Sequence, residues 1–308
     1  MAGERTAVAG LSGRVVNPGP SKRGWHRIAK ASLCVATAGW NLLDGSDGRR
    51  PESSVLSDPL IYGQAWHLLM AHRYLHMGLA QRGRVRVGEE EVSDPAEFMS
   101  VADIFRYISE VYGDSVSSDL QRAYTLYGMK YATEARDYIV HGVETQIEAT
   151  LPDLGGLLPD DRRLYTQRAD LVLVERATKK VWILDHKTVY RIESATHDQF
   201  IMDGQFLGYA ALGANKWGEK FGGVLLGRAV VRGKDAGKFA RGELPASPAA
   251  VSGHLHNVAQ VELDVLTQER MHGTDIGKWR KTTTEQTCVG KYDKCEFFGR
   301  CRFGWQKE

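Results

Sequence analysis

The stretch from residue 168 to residue 188 constrains the fold more than any other part of this 308-residue chain. It reads RADLVLVERATKKVWILDHKT, with an apolar, β-branched run on each side of a short polar segment. Two such runs bounded by turn residues are typical of a β-hairpin. If Glu175 opposes Lys180 across the loop, then Asp170 opposes Asp185. The hairpin therefore predicts a pair of facing carboxylates.

Two carboxylates that face each other on an apolar hairpin predict a cation near them. Directly opposed side chains have Cβ atoms about 5 Å apart, and such carboxylates repel unless a divalent metal neutralises them. Lys187 lies two residues beyond Asp185, on the same strand face. Metal ligands beside an ammonium group suit phosphodiester hydrolysis. A shift of one residue in register would separate the carboxylates, and the alternative is a surface hairpin with a solvated Asp185–Lys187 pair.

Periodicity along the rest of the chain predicts an α/β protein. Apolar residues recur at helical spacing from Leu60 to about Met77, and a second helical region covers about 96–140 with an interruption at 113–118. Further helices are predicted at about 197–214 and 264–281. Strands are predicted at 143–150, 168–175, 181–189, 221–232 and 257–263.

Composition excludes several classes of protein. Hydrophobic residues make up 43% of the chain and charged residues 25%, with a formal net charge of +2, which is typical of a globular protein. No apolar run reaches about 18 residues, and the N-terminal region lacks an apolar secretion signal. We therefore expect a cytoplasmic protein with no membrane partner. Residues 1–24 predict a flexible tail because they lack periodicity, and residues 25–308 are expected to form one domain.

Motifs on both sides of the hairpin occur in a specific order. A G-x-x-x-H segment lies in the first predicted helix, and a Q-x-x-x-Y segment places both of its polar residues on one face of the helix after the hairpin. With the Asp and the D-x-K of the hairpin, this order resembles the RecB-like branch of the PD-(D/E)XK nuclease superfamily. The residues that carry the resemblance are Gly63, His67, Asp170, Asp185, Lys187, Gln205 and Tyr209.

The resemblance implies a restriction-endonuclease-like fold. Its central mixed sheet would be flanked by helices, with a helical N-terminal part and a helical insertion at about 80–140. The activity implied is metal-dependent hydrolysis of DNA, and we expect an exonuclease that acts on single strands or DNA ends.

The resemblance also implies roles for the motif residues. A Mg²⁺ or Mn²⁺ ion would be bound by His67, Asp170, Asp185 and the backbone carbonyl of His186. Lys187 would be the catalytic lysine. Gln205 and Tyr209 would orient the DNA backbone and support that lysine.

Other polar residues near the motifs have two interpretations. Glu144 and Glu148, on the strand before Asp170, could add a carboxylate to the site or line an exposed strand face. His72 and His76 have the i, i+4 spacing of a zinc site but no third partner nearby in the sequence, so they stay unassigned.

The four cysteines divide into Cys34 near one end and Cys288, Cys295 and Cys301 near the other. In a reducing compartment they indicate metal ligands or buried thiols rather than disulfides. Certain RecB-like nucleases, including AddB-type proteins and CRISPR adaptation nucleases, bind a 4Fe-4S cluster with one cysteine before the nuclease core and three after it. This chain resembles that arrangement, which would form a clasp between the Cys34 region and residues 284–308. The wide spacing of the last three cysteines leaves zinc and unligated thiols as alternatives.

DNA is the expected partner. Residues 228–241 and 278–308 carry a local excess of basic residues, which suits contact with phosphates, although solvated loops would look the same. The chain has no G-x-x-x-x-G-K-[ST] motif, so unwinding would need a helicase, a recombinase or a CRISPR adaptation partner. Phage recombination, DNA repair and spacer processing are all compatible with these residues. The alternatives are a non-catalytic DNA-binding or assembly module that keeps the nuclease fold, and an RNA-directed nuclease.

Overall fold

The computed structural model describes most of the chain and divides it into two compact units. The described residues are 13–16, 24–43, 58–201, 203–282, 284–288, 295, 297 and 301. Unit 1 comprises Met1–Pro20, Val55–Ile147 and Arg168–Ala246, and unit 2 comprises Ser21–Ser54, Glu148–Gln167 and Ser247–Glu308. The single domain expected from the sequence over residues 25–308 stays a prediction. A division in which each unit is assembled from three separate segments leaves no local compositional signal.

A seven-stranded mixed sheet has the strand order β2-β1-β3-β4-β5-β6-β7. The strands are β1 Val85–Val87, β2 Glu90–Val92, β3 Tyr138–Thr150, β4 Leu164–Glu175, β5 Val181–Thr188, β6 Phe221–Ala229 and β7 Phe239–Leu244. β1 pairs with β3 and β5 pairs with β6 in parallel. The pairs β1–β2, β4–β5 and β6–β7 are antiparallel. The predicted α/β class and mixed sheet are therefore confirmed.

The α-helices among the described residues occur before, between and after these strands. They are α1 Trp25–Leu33, α2 Val35–Leu43, α3 Asp58–Arg82, α4 Val101–Tyr112, α5 Asp114–Lys130, α6 Glu134–Asp137, α7 Ser194–Ile201, α8 Gly204–Trp217, α9 Pro248–His272 and α10 Glu285–Cys288. No described helix is long and apolar enough to cross a membrane.

Helix α3 is the central helix of unit 1. Trp66, Leu69, Tyr74 and Leu75 are fully buried in it, and the helix packs against β1 and β5. Burial of large apolar side chains is the main favourable contribution to folding, at about 25 cal/mol per Å² of apolar surface. Because α3 is held by the sheet in this way, its polar residues have defined positions relative to β5.

The second predicted helical region is interrupted at Gly113, whereas residues 114–118 of the predicted interruption are helical. Helices α4 and α5 meet at Gly113, which has φ 96° and donates its backbone N–H to the Ser109 carbonyl. At the start of α4, the Ser100 side chain accepts a hydrogen bond from the Asp103 N–H, which satisfies one of the free amide groups there. The short strands β1 and β2 lie within the segment predicted as a helical insertion. Strands of three residues are too short to show a period of two.

The predicted hairpin register is confirmed. Leu171 pairs with Leu184 and Val174 with Val181, and the Glu175 N–H donates to the Lys180 carbonyl at 2.9 Å. Lys179 adopts φ 61° in the loop. One step beyond Leu171 and Leu184, this register brings the Asp170 and Asp185 positions opposite each other, as the sequence predicts.

Two predictions for the last third of the chain are wrong. Residues 257–263 are not a strand, because they lie inside α9. Its buried residues, among them His254, Val258 and Val265, follow the helical period, which overrides the β-branched composition. The helix predicted at 264–281 also ends early. Gly273 adopts φ 52° and its N–H caps the Glu269 carbonyl, which terminates α9 at His272.

Residues 13–16 of the predicted flexible tail contact other residues of unit 1, and Val16 is buried there. Val16 is 4% exposed, and its N–H donates to Nε2 of His72 at 2.9 Å. Arg14 forms a parallel bridge with Phe98. The expectation of an unpacked tail does not hold for residues 13–16, because a buried histidine on α3 provides an acceptor that composition does not reveal. The rest of residues 1–23 lies outside the described residues.

Unit 2 has its own small core. Ala31 of α1 and Val35 of α2 are buried with Val265 of α9, and Trp279 completes this cluster. Two of these side chains come from the segment 21–54 and two from the segment 247–308. Three of the helices of unit 2 therefore meet through apolar packing.

Candidate functional site

Asp170 is held by the backbone of the neighbouring strand. Its Oδ2 accepts a hydrogen bond of 2.8 Å from the N–H of His186 on β5. Because the donor is a backbone N–H, this hydrogen bond orients the carboxylate without the help of another side chain. The hairpin thus orients Asp170 at the end of the pairing that the sequence predicts.

His67 reaches Asp170 from helix α3. Its Nδ1 lies 3.0 Å from Asp170 Oδ2. Burial opposes the charged form of both groups, but their mutual attraction is stronger. The pKa of His67 is therefore raised to about 9, and the pKa of Asp170 is lowered below its ordinary value, with Lys187 adding to the effect. The two side chains form an ion pair at neutral pH.

Glu144 joins this pair from strand β3 through an unusual backbone conformation. Glu144 has φ 49°, in the left-handed region that non-glycine residues rarely adopt. The pairing of β1 with β3 ends one residue earlier, at Val143. A Cβ added to Gly142 would overlap the Thr145 hydroxyl, so a glycine is needed where Thr145 approaches the strand. Residues held in sparsely populated conformations cluster at functional sites.

His67, Glu144 and Asp170 form a candidate cation site. One ligand atom from each of the three lies within 4.8 Å of the other two. Burial, and then repulsion from Asp170, raise the pKa of Glu144 to about 8. Two carboxylates this close are unfavourable without a positive charge between them. An imidazole and two carboxylates are ligands for a divalent cation, so the donor set fits one.

The sequence left Glu144 with two interpretations, and the geometry favours the site. Glu148, on the same strand, is exposed. Four residues along a strand span about 13 Å, so only one of the two glutamates can reach Asp170. Strand periodicity could not select between them, because both occupy the same strand face.

Asp185 and Lys187 form the second part of the site. Lys187 Nζ lies 2.8 Å from Asp185 Oδ2, and the Asp185 side chain is completely buried. Burial and the nearby Asp170 raise the pKa of Asp185, whereas Lys187 opposes this effect. Burial would lower the pKa of Lys187, but Asp185 and Asp170 outweigh it and the pKa is raised. The lysine is therefore a charged ammonium group.

Gln205 and Tyr209 hold the remaining side of Asp185. Gln205 Nε2 donates to Asp185 Oδ1 at 3.0 Å and to the Tyr209 hydroxyl at 3.0 Å. The Tyr209 hydroxyl lies 3.2 Å from Asp185 Oδ1 and donates to the Arg168 carbonyl at 2.6 Å. The Asp203 side chain caps α8 by accepting from the Gln205 N–H. This cap fixes the helix turn that carries Gln205.

The structure thus brings the predicted catalytic and metal-binding residues of unit 1 into one contact network, with one difference in detail. The three-residue cation site contains Glu144 and does not include Asp185, which is engaged by Lys187, Gln205 and Tyr209. The His186 N–H binds Asp170. Its carbonyl as a metal ligand stays a prediction.

A buried polar network lies behind the hairpin, and sequence reasoning missed it. His186 Nε2 is 3.2 Å from the Tyr127 hydroxyl, which is 2.7 Å from the Tyr74 hydroxyl. Tyr74 donates to Glu134, and Arg241 pairs with Glu134 and donates to Tyr127. Burial lowers the pKa of His186 to about 3, so this imidazole is neutral. No local pattern could have found a network drawn from three helices and two strands.

The four cysteines all belong to unit 2. The Trp40 indole N–H donates to Cys301 Sγ at 3.1 Å, and the Thr282 N–H lies 3.4 Å from Cys34 Sγ. The Cys295 N–H donates to the Cys288 carbonyl at 2.8 Å. Among the described residues, no sulfur belongs to a set of three ligand atoms within 4.8 Å of one another. The structure therefore does not assemble a compact thiolate site, and most residues between these cysteines lie outside the described ones.

Comparisons with known proteins identify no family for this chain. No family model matches it, and no curated protein matches it. Among solved structures, the crystal structure of SSO0001 is similar, with a TM-score of 0.31 and 10% sequence identity over 76% of this chain and 84% of that chain. A similarity of this size carries no argument about fold or function.

Proposed function

We propose that the chain is a metal-dependent nuclease with a restriction-endonuclease-like fold, which hydrolyses phosphodiester bonds in single-stranded DNA or at DNA ends. The observation that carries the proposal is the cation site of His67, Glu144 and Asp170 next to the Asp185–Lys187 pair. A binding protein has no need for three neighbouring carboxylates with a charged lysine beside them. Each of these groups has a task in phosphodiester hydrolysis.

The donor set supports Mg²⁺ or Mn²⁺ as the cofactor. Burial, and then the proximity of the Asp170 carboxylate, raise the pKa of Glu144, so a bound cation favours the loss of its proton. When bound, a divalent cation stabilises charge on the phosphoryl oxygens and lowers the pKa of a coordinated water. To bind the cation, His67 would have to lose its proton and its ion pair with Asp170.

Lys187 acts as a fixed positive charge in this proposal. Because its pKa is raised, the ammonium group stabilises negative charge and does not accept a proton. Asp185 positions the ammonium group through the 2.8 Å contact. Gln205 and Tyr209 in turn orient Asp185. Preorganised charge of this kind is a large contribution to catalysis of phosphoryl transfer.

The proposal is tested with end-labelled single-stranded DNA, duplex DNA and RNA, in Mn²⁺ and in EDTA. Wild type should degrade DNA in Mn²⁺ only. Lys187→Ala should lose activity by at least about 100-fold, the range for a group that stabilises transition-state charge. Lys216→Ala, which removes an exposed lysine at the end of α8, is the matched control and should keep activity.

The outcomes separate the alternatives. DNA loss that persists in Lys187→Ala would exclude the assigned chemistry. If wild type cleaves no substrate but binds DNA, the chain is a non-catalytic DNA-binding or assembly module. Cleavage of RNA alone would make it an RNA-directed nuclease.

We further propose that Cys34, Cys288, Cys295 and Cys301 bind a 4Fe-4S cluster with a structural role in unit 2. The supporting observation is the N–H donors at two of the sulfurs, from Trp40 and from the backbone of Thr282. Such donors stabilise thiolates and are a recurring feature of iron–sulfur sites.

Anaerobic purification tests the cluster. Wild type should be brown and contain iron and sulfide, and Cys→Ala at any of the four positions should lower the stability and weaken nuclease activity. Stoichiometric zinc would replace the cluster with a zinc site. Colourless wild type with four single variants of unchanged stability would show unligated thiols.

A further inference from the structure

An exposed tyrosine lies beside the proposed site on a rigid support. Tyr190 is 69% exposed, and among the described Phe, Trp and Tyr residues no other is mostly exposed. Its hydroxyl accepts a hydrogen bond of 2.7 Å from Arg232. The Arg232 guanidinium lies 5.3 Å from the centre of the Tyr190 ring and 4.8 Å from the centre of the Tyr62 ring. One side of the Tyr190 ring is thus supported, and the remainder is open to solvent.

Arg232 is fixed at this position. Its side chain is 25% exposed and contacts Asp58 at 3.4 Å, while Tyr62 is buried and donates to Asp119 at 2.7 Å. A guanidinium is attracted to the negative face of an aromatic ring. A surface tyrosine without such support would sample several rotamers. Tyr190 is instead preorganised, which reduces the entropy lost when a ligand stacks on it.

The position of this platform relates it to the proposed site. β5 and β6 run parallel, with Lys187 opposite Arg228, so the segments after both strands leave the sheet at one edge. Tyr190 follows Lys187 by three residues, which span at most about 10 Å. Tyr62 precedes His67 by five residues of α3, or about 7.5 Å along the helix axis. The platform therefore lies within one or two nucleotides of the cation site.

The charge around the platform favours nucleic acid. Residues 187–193 and 228–238 together contain six basic and two acidic residues. Part of the basic excess in 228–241 is internal, because Arg241 pairs with buried Glu134 and Arg228 donates to the Glu193 carbonyl. The basic groups left at the surface are Lys234, which is exposed, and Lys238, which is 65% exposed and pairs with Asp235 at 2.7 Å. They can contact phosphates without reading sequence.

We propose that Tyr190, supported by Arg232 and Tyr62, stacks on an unpaired base of single-stranded DNA next to the phosphate bound at the site. This rests on the proposed function and specifies its substrate class. In a duplex the bases are already stacked on one another, so only a single strand offers a free base face to an aromatic ring. The platform would therefore make the site prefer single strands and frayed ends.

Binding without cleavage tests the platform. The full chain in EDTA is titrated into fluorescent oligothymidylate, and anisotropy gives the Kd. Tyr190→Ala should weaken binding about ten-fold, as expected for one lost stacking contact, whereas Tyr190→Phe should stay within about three-fold because the ring remains. Met129→Ala, which removes a side chain that is 71% exposed on α5, is the control and should bind as wild type does.

A strand with an abasic residue separates stacking from charge. Wild type should bind the abasic strand more weakly than the normal strand. Tyr190→Ala should bind the two strands with equal affinity. The platform is excluded if Tyr190→Ala binds the normal strand as tightly as wild type does, or if wild type does not bind single strands. It is also excluded if the substitution weakens binding of the normal and the abasic strand by the same factor. If wild type binds in a base-dependent manner but cleaves nothing, the stacking proposal is kept and the proposed nuclease activity is rejected. If cleavage depends on Lys187 but Tyr190→Ala binds normally, the nuclease activity is kept and the stacking proposal is rejected.

Discussion

His67 on α3 and Asp170 on β4 form an ion pair, with Nδ1 3.0 Å from Oδ2. The pair joins a helix to a strand that follows it much later in the chain. Because the same two residues belong to the candidate cation site, a proton on His67 and a metal ion compete for one place. This competition makes metal binding dependent on pH.

Mn²⁺ affinity should rise with pH up to about 9. In the metal-free protein, the pKa of His67 is raised to about 9 and that of Glu144 to about 8. Both groups therefore carry a proton at neutral pH and must lose it when they bind a metal, so binding releases protons. Calorimetry in buffers of different ionisation enthalpy measures this release. Proton-neutral binding with constant affinity from pH 6.5 to 9 would contradict the ligand set.

Glu144→Gln should weaken Mn²⁺ binding by about ten-fold or more, because carboxylate charge is a main determinant of affinity for such cations. Glu148→Gln changes an exposed glutamate of the same strand and should have no effect. Calorimetry or the Mn²⁺ electron spin signal gives the two affinities. Equal losses in both variants would point to a general effect of charge.

Lys187→Met should destabilise the metal-free protein by about 3 to 5 kcal/mol, because it leaves the fully buried Asp185 carboxylate without its cation. Asp185→Asn in the same chain removes the charge and should restore most of the loss. Urea unfolding in EDTA of the two single variants and the double variant measures the coupling. A double variant no more stable than Lys187→Met would argue against the pair.

Arg241→Met should also lower the free energy of unfolding by about 3 to 5 kcal/mol. The change strands the Glu134 carboxylate, whose side chain is 3% exposed, in the network that contacts His186. Arg106→Met breaks a pair in which the arginine is 63% exposed and should cost less than about 1 kcal/mol. Urea unfolding compares them, and similar losses would show that the network contributes nothing beyond a surface pair.

Acid should release residues 13–16 through His72. Burial lowers the pKa of His72 from 6.5 to about 4. Between these two pH values His72 is protonated in the unfolded chain but neutral in the folded protein. Stability from this group is complete above pH 6.5 and decreases as the pH falls to about 4, by about 3 kcal/mol in total. Protonation also removes the acceptor of the Val16 N–H.

His72→Gln is the matched variant, since an amide can accept from Val16 and donate to the Met99 carbonyl as the imidazole does. Its stability should fall less steeply between pH 6.5 and 4. Hydrogen exchange of residues 13–16 at each pH, compared between wild type and variant, measures the effect. Parallel pH profiles would assign the acid loss to other groups.

Local patterns predicted the elements that carry the site. The hairpin register followed from one assumption, that Glu175 opposes Lys180 across a short loop, and the observed pairing has this register rather than the one shifted by a residue. Helix α3 was predictable from its period. The strand predicted at 257–263 failed because β-branched residues within a long helix resemble a strand when a short window is considered, and burial on α9 decides between the two.

The sequence by itself determined the order of the motif residues and the register that brings Asp170 opposite Asp185, because both depend on neighbours within one hairpin. Only the tertiary structure selected Glu144 over Glu148, placed Tyr190 against Arg232, and buried Arg241 with Glu134. Each of these contacts joins elements whose approach is set by strand order and by the packing of α3. Such distances depend on the whole sheet, and no periodicity along the chain records them.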